Sequence, residues 1–516
     1  MYTGVQVLGR ADQPAFIMAS TGEAVSYAEL EARSNRIAHF LRSRGLKRLD
    51  HYSVFMENNP RFIECCAAGE RAGLYFTAIN SYLKPDEVAY ILNNSESRVL
   101  FFSEEKRAVV IEALKDCPNI EVAVVVDGPG DGMIIALDEA TRGCPEVPIP
   151  DEMLGTSMLY SSGTTGRPKG ILRRVPETPP AQQLPVFDFV SDLWRFRQGM
   201  TYLSPAPLYH SAPNGAVAFT IRAGGTAIIM ERFDPEHYLQ LVERYRPTHS
   251  QLVPTMFWRM LKLPKEIREK YDVSSLEVAI HAAAPCPVQV KQEMIDWWGP
   301  ILLEYYTATE LLGFAVCDSQ QWLSHPGTVG EVIAGAIHVL DDEMRPTPKG
   351  EPGVLWFETV SEFSYFNDPV KTAESRSPDG TMTTVGDVGY VDDDGYLYLT
   401  DRATFMIISG GVNIYPQECE NLLITHPKVA DAAVFGVPNE DLGEEVKAVV
   451  QPMPDVALGP ELADELIAFC SEHLSRQKVP RSIDFEAELP RLPTGKLYKR
   501  QLRDRYWAEH AGRIPR

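Results

Sequence analysis

The sequence predicts an α/β protein: a large amino-terminal region of stacked α/β layers with a β-rich part, followed by a small α+β unit. Three observations carry this reading. A length of 516 residues exceeds what one hydrophobic core organises, and points to roughly two to four units. The first 150 residues alternate helical stretches with short apolar runs, the pattern of layered helices and a sheet containing parallel strands. Past Asp401 the pattern changes to a compact mixture of strands and helices.

Taken in order, residues 26–44 have helical periodicity, and residues 98–103 and 120–126 are apolar runs of strand length. The proline-punctuated residues 146–150 mark a junction before a new strand-like run. Residues 175–200, VPETPPAQQLPVFDFVSDLWRFRQGM, read as a surface excursion whose prolines prohibit a regular element in its first half. Strand-like segments at 329–340, 353–358 and, after the turn DDDG, 395–400 suggest a β-rich part from about Gly327. Beyond it, strand 406–409, helix 416–426, strands 429–437 and 446–452 and helix 459–474 make the α+β unit. The expected division is therefore residues 1–401 and 402–516.

Composition narrows the function. Hydrophobic residues make up 44% and charged residues 23%, as in ordinary globular proteins. Against 71 acidic side chains stand 49 basic ones, and the net charge of −22 repels nucleic acid and anionic membrane. An anionic nucleotide would have to be held by local cations and backbone amides. The eight cysteines form no CxxC pair or metal-ligand spacing, which fits a reducing compartment. No stretch reaches the ~18 apolar residues of a membrane span, and MYTGVQVLGRADQ lacks the layout of a signal peptide. A cytoplasmic protein is expected.

The strongest single feature is Tyr160-Ser-Ser-Gly-Thr-Thr-Gly-Arg-Pro-Lys-Gly170, which packs three glycines, four aliphatic hydroxyls and two cations into eleven residues. Glycines let backbone amides approach an anion, hydroxyls donate, and Arg167 and Lys169 supply charge, so phosphate is the expected guest. Pro168 stands where the helix of a GxxxxGK[ST] loop would have to begin, which excludes that type. Strand-like flanks at 157–161 and 170–174 suggest a hairpin loop instead. Alone, the segment would also pass for a surface turn rich in small polar residues.

It does not stand alone. The segment resembles the phosphate-binding signature of the adenylate-forming superfamily: acyl-CoA synthetases, nonribosomal adenylation domains and beetle luciferases. Further resemblances occur in the family's order. Tyr306-Thr-Ala-Thr-Glu310 is similar to its aromatic-Gly-x-Thr-Glu motif, and Thr384-Val-Gly-Asp387 to its Thr-Gly-Asp ribose site with an added residue. Asp401-Arg402 resembles the hinge, Ser409-Gly-Gly-Val-Asn-Ile-Tyr-Pro416 the stretch after the hinge, and Pro493-Thr-Gly-Lys496 the carboxy-terminal lysine motif.

The resemblance implies roles. Ser161, Ser162, Gly163, Thr164, Thr165, Gly166 and Lys169 would surround the phosphates of ATP, with Thr309 and the loop threonines on the α- and terminal phosphates. Glu310 would hold Mg²⁺; by itself it reads as a solvated carboxylate at a helix start. Tyr306 would cover adenine beside Ala283, Ala284 and Pro285, and Asp387 and Arg402 would hold the ribose hydroxyls. Lys496, a lone turn lysine by position, becomes catalytic, its charge lying between the acid's carboxylate and the α-phosphate. The neighbouring Lys499 and Arg500 are expected at the surface. Asp401 and Thr404 mark the hinge of a mobile carboxy-terminal unit, whose swing would withdraw Lys496 and turn Gly410 and Gly411 towards a thiol.

Departures from the family pattern bear on specificity. Thr404 stands where the family carries Asp or Lys as the pivot, followed by Phe405 where Asp is common; Phe405, uncharged, is expected at the domain interface. Thr307 replaces the glycine at the floor of the acyl tunnel, a place taken by tryptophan in acetate-specific relatives, and hints at an intermediate restriction. His210 resembles the aromatic gate between acyl and thiol sites, with a hydrogen-bonded structural histidine as the alternative. Asn214, Ala282 and Leu311 are further acyl-pocket positions. No carboxylate follows the Pro207–His210 region to bind an α-amine, which favours a plain organic acid.

The expected activity is an AMP-forming carboxylic acid:CoA ligase using ATP, Mg²⁺ and coenzyme A, since no carrier domain follows Lys496. A stand-alone enzyme loading a carrier-protein thiol is the alternative. The stretches 71–80 and 205–214 resemble bacterial fatty-acid-type acyl-CoA ligases, with aryl and ring-bearing acids left open. A homodimer fits as well as a monomer.

Overall fold

A computed structural model describes residues 1–161, 168–358, 363–410, 412–439, 441–491 and 497–509. A six-stranded, wholly parallel sheet is built in the order Ile134–Ala136, Val122–Val125, Val99–Phe102, His51–Phe55, Tyr75–Ala78, Thr156–Ser157. Its central strands are buried throughout, as continuous apolar strands covered on both faces must be. Two helices lie between it and the larger sheet. Tyr27–Ser43 starts on a capping box of Ser26 and Glu29, and Pro60–Ala72 on an Asn59 cap with proline in its first turn. One apolar core joins Ile37 and Phe40 of the first and Phe62 and Ile63 of the second to Val54 and Phe76 on one sheet and Tyr202, Ile229 and Ile280 on the other.

The larger sheet has 14 strands. Pro14–Met18, Thr226–Ile229, Thr201–Ser204, His249–Leu252, Val278–His281 and Leu302–Tyr306 run parallel in that spatial order. From Leu302–Tyr306 onward the pairing turns antiparallel, through Phe314–Asp318, Gly330–Ala334, Tyr396–Arg402 and Asp387–Val391. The β-rich part expected from about Gly327 is thus an extension of the main sheet by edge pairing.

A small antiparallel sheet joins Leu159–Ser161, Lys169–Arg173 and Phe363–Tyr365. The expected hairpin is there, with Lys169 opposite Ser161. The excursion has no regular element up to Leu184 and then forms the helix Pro185–Trp194. The carboxy-terminal unit follows the expected order: Ile407–Ser409, Pro416–Thr425, the long hairpin Val429–Asn439 and Gly443–Pro452, and Pro460–His473. Leu423, Val434, Ala448, Leu466 and Cys470 fill its own core. No helix among the described residues is long and apolar enough to cross a membrane.

Candidate active site

In open α/β sheets, ligands bind outside the carboxyl ends of parallel strands. The candidate residues collect at those ends. Thr201–Ser204 leads to His210 and Asn214, Val278–His281 to Ala282–Pro285, and Leu302–Tyr306 to Thr307–Leu311. Leu302–Tyr306 is also where parallel pairing gives way to antiparallel, so the loop after it opens into the break. Two adjoining cavities, each of 1470 Å³, occupy the region and share Ala283, Ala284, Thr307, Ala308 and Arg402 in their walls.

On one side stand Lys169, Tyr365 and Glu310. The register of the small sheet puts Tyr365 beside Ile171, and its ring lies 4.7 Å from the Lys169 ammonium. Its hydroxyl donates to Glu310 Oε1 at 2.8 Å, and Glu310 is buried. Burial, and then the charge of Lys371, pull the Lys169 ammonium below the ordinary lysine range, opposed by Glu310. Ser161, Thr309 and Glu310 line the same cavity. Ser162, Gly163, Thr164, Thr165 and Gly166 lie outside the described residues.

On the other side stand Tyr306, Asp387 and Arg402. Gly386, at φ +78°, makes the left-handed turn that delivers Asp387 to its strand. Asp387 and Arg402 are cross-strand partners, Nε to Oδ1 at 2.9 Å, and the Tyr306 hydroxyl donates to Asp387 Oδ2 at 2.7 Å. Asp387 holds Arg402 above its ordinary range, and burial drives the Tyr306 phenol well above its own. A carboxylate has about four acceptor directions, so Asp387 keeps capacity beyond these two partners.

The acyl-side positions divide. Thr307 donates to the Gly313 carbonyl at 2.7 Å, tying its side chain back to the turn. His210 precedes the helix Ser211–Arg222 and packs on Tyr209, centroids 4.3 Å apart. Asn214 is buried and donates to the Leu208 carbonyl at 3.1 Å, bracing the loop before its helix. Ala282 is buried at the wall, and Ala283 and Leu311 take left-handed backbone at φ +74° and +57°.

At the expected hinge, Asp401 accepts from the Gln417 amide at 3.1 Å, and the Thr404 carbonyl from Arg503 at 3.2 Å. Lys499 is not at the surface. It is buried against Glu420 at 2.8 Å, because the helix Lys499–Glu509 packs on Val429–Asn439, and its ammonium lies 5.2 Å from the Phe405 ring. Arg500 does conform, pairing with Asp504 while half-buried. Phe405 lines the cavity between the large and small units. Gly410 turns at φ +57°, its amide donating to the Leu442 carbonyl at 2.8 Å. Gly411 and Lys496 lie outside the described residues; Tyr498 lines both cavities.

Sequence reasoning missed Tyr365 and Asn58. Nothing local marks Tyr365, which pairing alone delivers to Glu310. Asn58 accepts from the Leu208 amide at 2.8 Å and donates to the Ala206 carbonyl at 3.1 Å, fixing the loop before His210 from a distant strand end.

The AMP-binding enzyme family model matches residues 5–363, and that of the AMP-binding enzyme C-terminal domain matches 418–496. The chain belongs to the AMP-binding enzyme family. It is 33% identical over 491 residues to a feruloyl-CoA synthase of an Amycolatopsis species, covering 94% of each chain. To the fatty acid–[acyl-carrier-protein] ligase ScoC of Streptomyces coeruleorubidus it is 30% identical over 506 residues, 96% of this chain and 94% of that one. The fold is that of the anthranilate CoA ligase AuaEII, crystallised with anthranoyl-AMP, at a TM-score of 0.83 and 23% identity over 99% of this chain and 97% of the other. As an AMP-binding enzyme, the protein is an acid–thiol ligase that forms an adenylate from ATP; Mg²⁺ and coenzyme A are the family's usual companions.

Proposed function

We propose that the protein condenses ATP with a small-molecule carboxylic acid to give an acyl-adenylate, and then passes the acyl group to the thiol of coenzyme A. One observation supports this most: the Lys169–Tyr365–Glu310 and Tyr306–Asp387–Arg402 clusters face cavities that share a wall with the acyl side. Tyr306 and Ala283–Pro285 bound the adenine, and Asp387 and Arg402 take the ribose hydroxyls. Ser161, Lys169 and Thr309, with the loop residues 162–166, take the phosphates.

Mg²⁺ commonly uses one or two carboxylates and completes its sphere with water and substrate phosphates. A single buried carboxylate across from Lys169 fits that demand, and Glu310 would hold the ion. Bound there, Mg²⁺ would offset charge on the departing pyrophosphate.

The carboxylate oxygen attacks the α-phosphorus, and the bond to the bridging oxygen breaks as pyrophosphate leaves. Lys496 carries the positive charge placed against that centre. The thiolate then attacks the acyl carbonyl and AMP leaves with the bonding pair. For this second step the carboxy-terminal unit, residues 402–516, turns about Asp401–Thr404 against residues 1–401 and presents Gly410 and Gly411, with His210 as the gate.

The test is pyrophosphate release by the full chain with ATP and Mg²⁺ across fatty, aryl and ring-bearing acids, with and without coenzyme A. Acid-dependent release that rises with coenzyme A is expected. Release indifferent to coenzyme A but stimulated by a holo-carrier protein would favour the second reading, to which the likeness to ScoC lends support. No release with any acid would overturn both. A cytoplasmic location and a homodimer complete the proposal, the latter checked by sedimentation.

A further inference from the structure

The strand Lys169–Arg173 runs along the cavity wall. Side chains alternate along a strand, so Lys169, Ile171 and Arg173 share a face. At one end Lys169 meets Tyr365 and Glu310; Ile171 is buried against Leu312 and Ala315. At the other end, about 13 Å away at ~3.3 Å per residue, Arg173 lines the same cavity as Trp194 and Phe314. Arg173 is half-buried, and desolvation draws its guanidinium below the ordinary arginine range, with only Tyr75 acting against it. Among the described residues no carboxylate pairs with that guanidinium.

Arg222, on the same wall, differs. It has Glu70 at 3.9 Å, the Pro180 carbonyl at 3.1 Å and the Phe187 ring at 4.3 Å. An uncompensated cation beside an apolar pocket is costly, and a purely hydrocarbon acyl chain would leave it so. An oxyanion would complete it, the guanidinium fork matching two oxygens of one group.

Resting on the ligase reading above, we propose that the acid activated here carries a second anionic group, remote from the reacting carboxylate, and that Arg173 receives it. Arg173 is thus a specificity-determining residue, and the substrate class is a dianionic acid with an apolar body.

The experiment compares straight-chain α,ω-dicarboxylic acids with monocarboxylic acids of the same carbon count, over a ladder of lengths, by pyrophosphate release from the full chain. At the best length the diacid is expected to exceed its monoacid in kcat/KM by about 10- to 100-fold, the worth of one charged hydrogen-bonded contact. Arg173→Gln should raise KM for the diacid by that factor and leave kcat with the monoacid unchanged. Arg173→Lys should keep part of the preference. Equal kcat/KM for diacid and monoacid at every length overturns the proposal while the ligase reading stands. So does an R173Q variant that loses both substrates alike. Silence towards every acid overturns the ligase reading, and this proposal with it.

Discussion

At the scale of single residues, Ala283 holds a left-handed backbone at φ +74° where the loop passes between the two cavities. A Cβ in that region costs roughly 1–2 kcal/mol, and glycine returns about 0.5–1 of this through its freer unfolded chain. Ala283→Gly is therefore expected to stabilise the protein by up to ~1 kcal/mol, read as a higher denaturant midpoint with pyrophosphate release retained. A lower midpoint would mean that packing of the methyl group outweighs the strain. Much of the site is readable at this scale. Lys169, Glu310, Asp387 and Arg402 declare their chemistry by type, and their spacing matches a known pattern. Tyr365 and Lys499 declare nothing, since neither matters until pairing or helix docking brings a partner 55 or 79 residues away in sequence to within hydrogen-bond reach.

At the scale of elements, the helix Lys499–Glu509 is tied to Pro416–Thr425 through the buried Lys499–Glu420 pair, whose carboxylate also accepts from the Val434 amide at 2.7 Å. Removing one partner of such a pair strands the other. Lys499→Ala is expected to destabilise the carboxy-terminal unit by roughly 3–5 kcal/mol, while Lys499→Met with Glu420→Leu should restore only part of the loss, because the Val434 amide loses its acceptor, both measured by urea unfolding. A single variant as stable as the parent would show the pair to be idle. The helix Pro185–Trp194 tells what sequence can and cannot deliver. Prolines up to residue 180 foretell an irregular segment, yet nothing local marks Val190 and Trp194, one turn apart, as a buried face; only tertiary packing sets Trp194 at 5.3 Å from Tyr305. In a segment so rich in aromatics, periodicity is a weak sign.

For the molecule as a whole, pattern and composition suffice for the layers, and the motif order for the family. That the β-rich part continues the main sheet is not readable, because strand pairing joins residues such as Gly330 and Leu397 with no local trace. Three histidines locked into the amino-terminal layers contribute to the acid limit, His281 being held well below its ordinary range by burial and then by the charge of Lys291. Burial brings His51, stacked on Tyr75, and His249, packed on Phe196, down from 6.5 to about 4. The folded state keeps both neutral, while the unfolded chain takes up protons below its ordinary histidine pKa. Stability is then complete above about pH 6.5 and falls as pH drops towards 4. From pH 8 to pH 5 each costs about 2 kcal/mol. Melting at the two pH values should show the drop, and His249→Asn should reduce it by about 2 kcal/mol. An unchanged drop in that variant would exclude His249 as a source.

Asp387 and Arg402 form the last rung of a hairpin, next to the segment 403–405 that leads into the carboxy-terminal unit. On the proposed function, a nucleotide held by that rung would grip the shaft on which the smaller unit would turn. Linkage is reciprocal: by whatever factor a bound nucleotide biases the orientation of that unit, fixing the orientation must tighten or loosen the nucleotide by the same factor. Locking the smaller unit in one orientation by a cross-link would thus register as a shift in ATP affinity, with no residue of the nucleotide pocket altered.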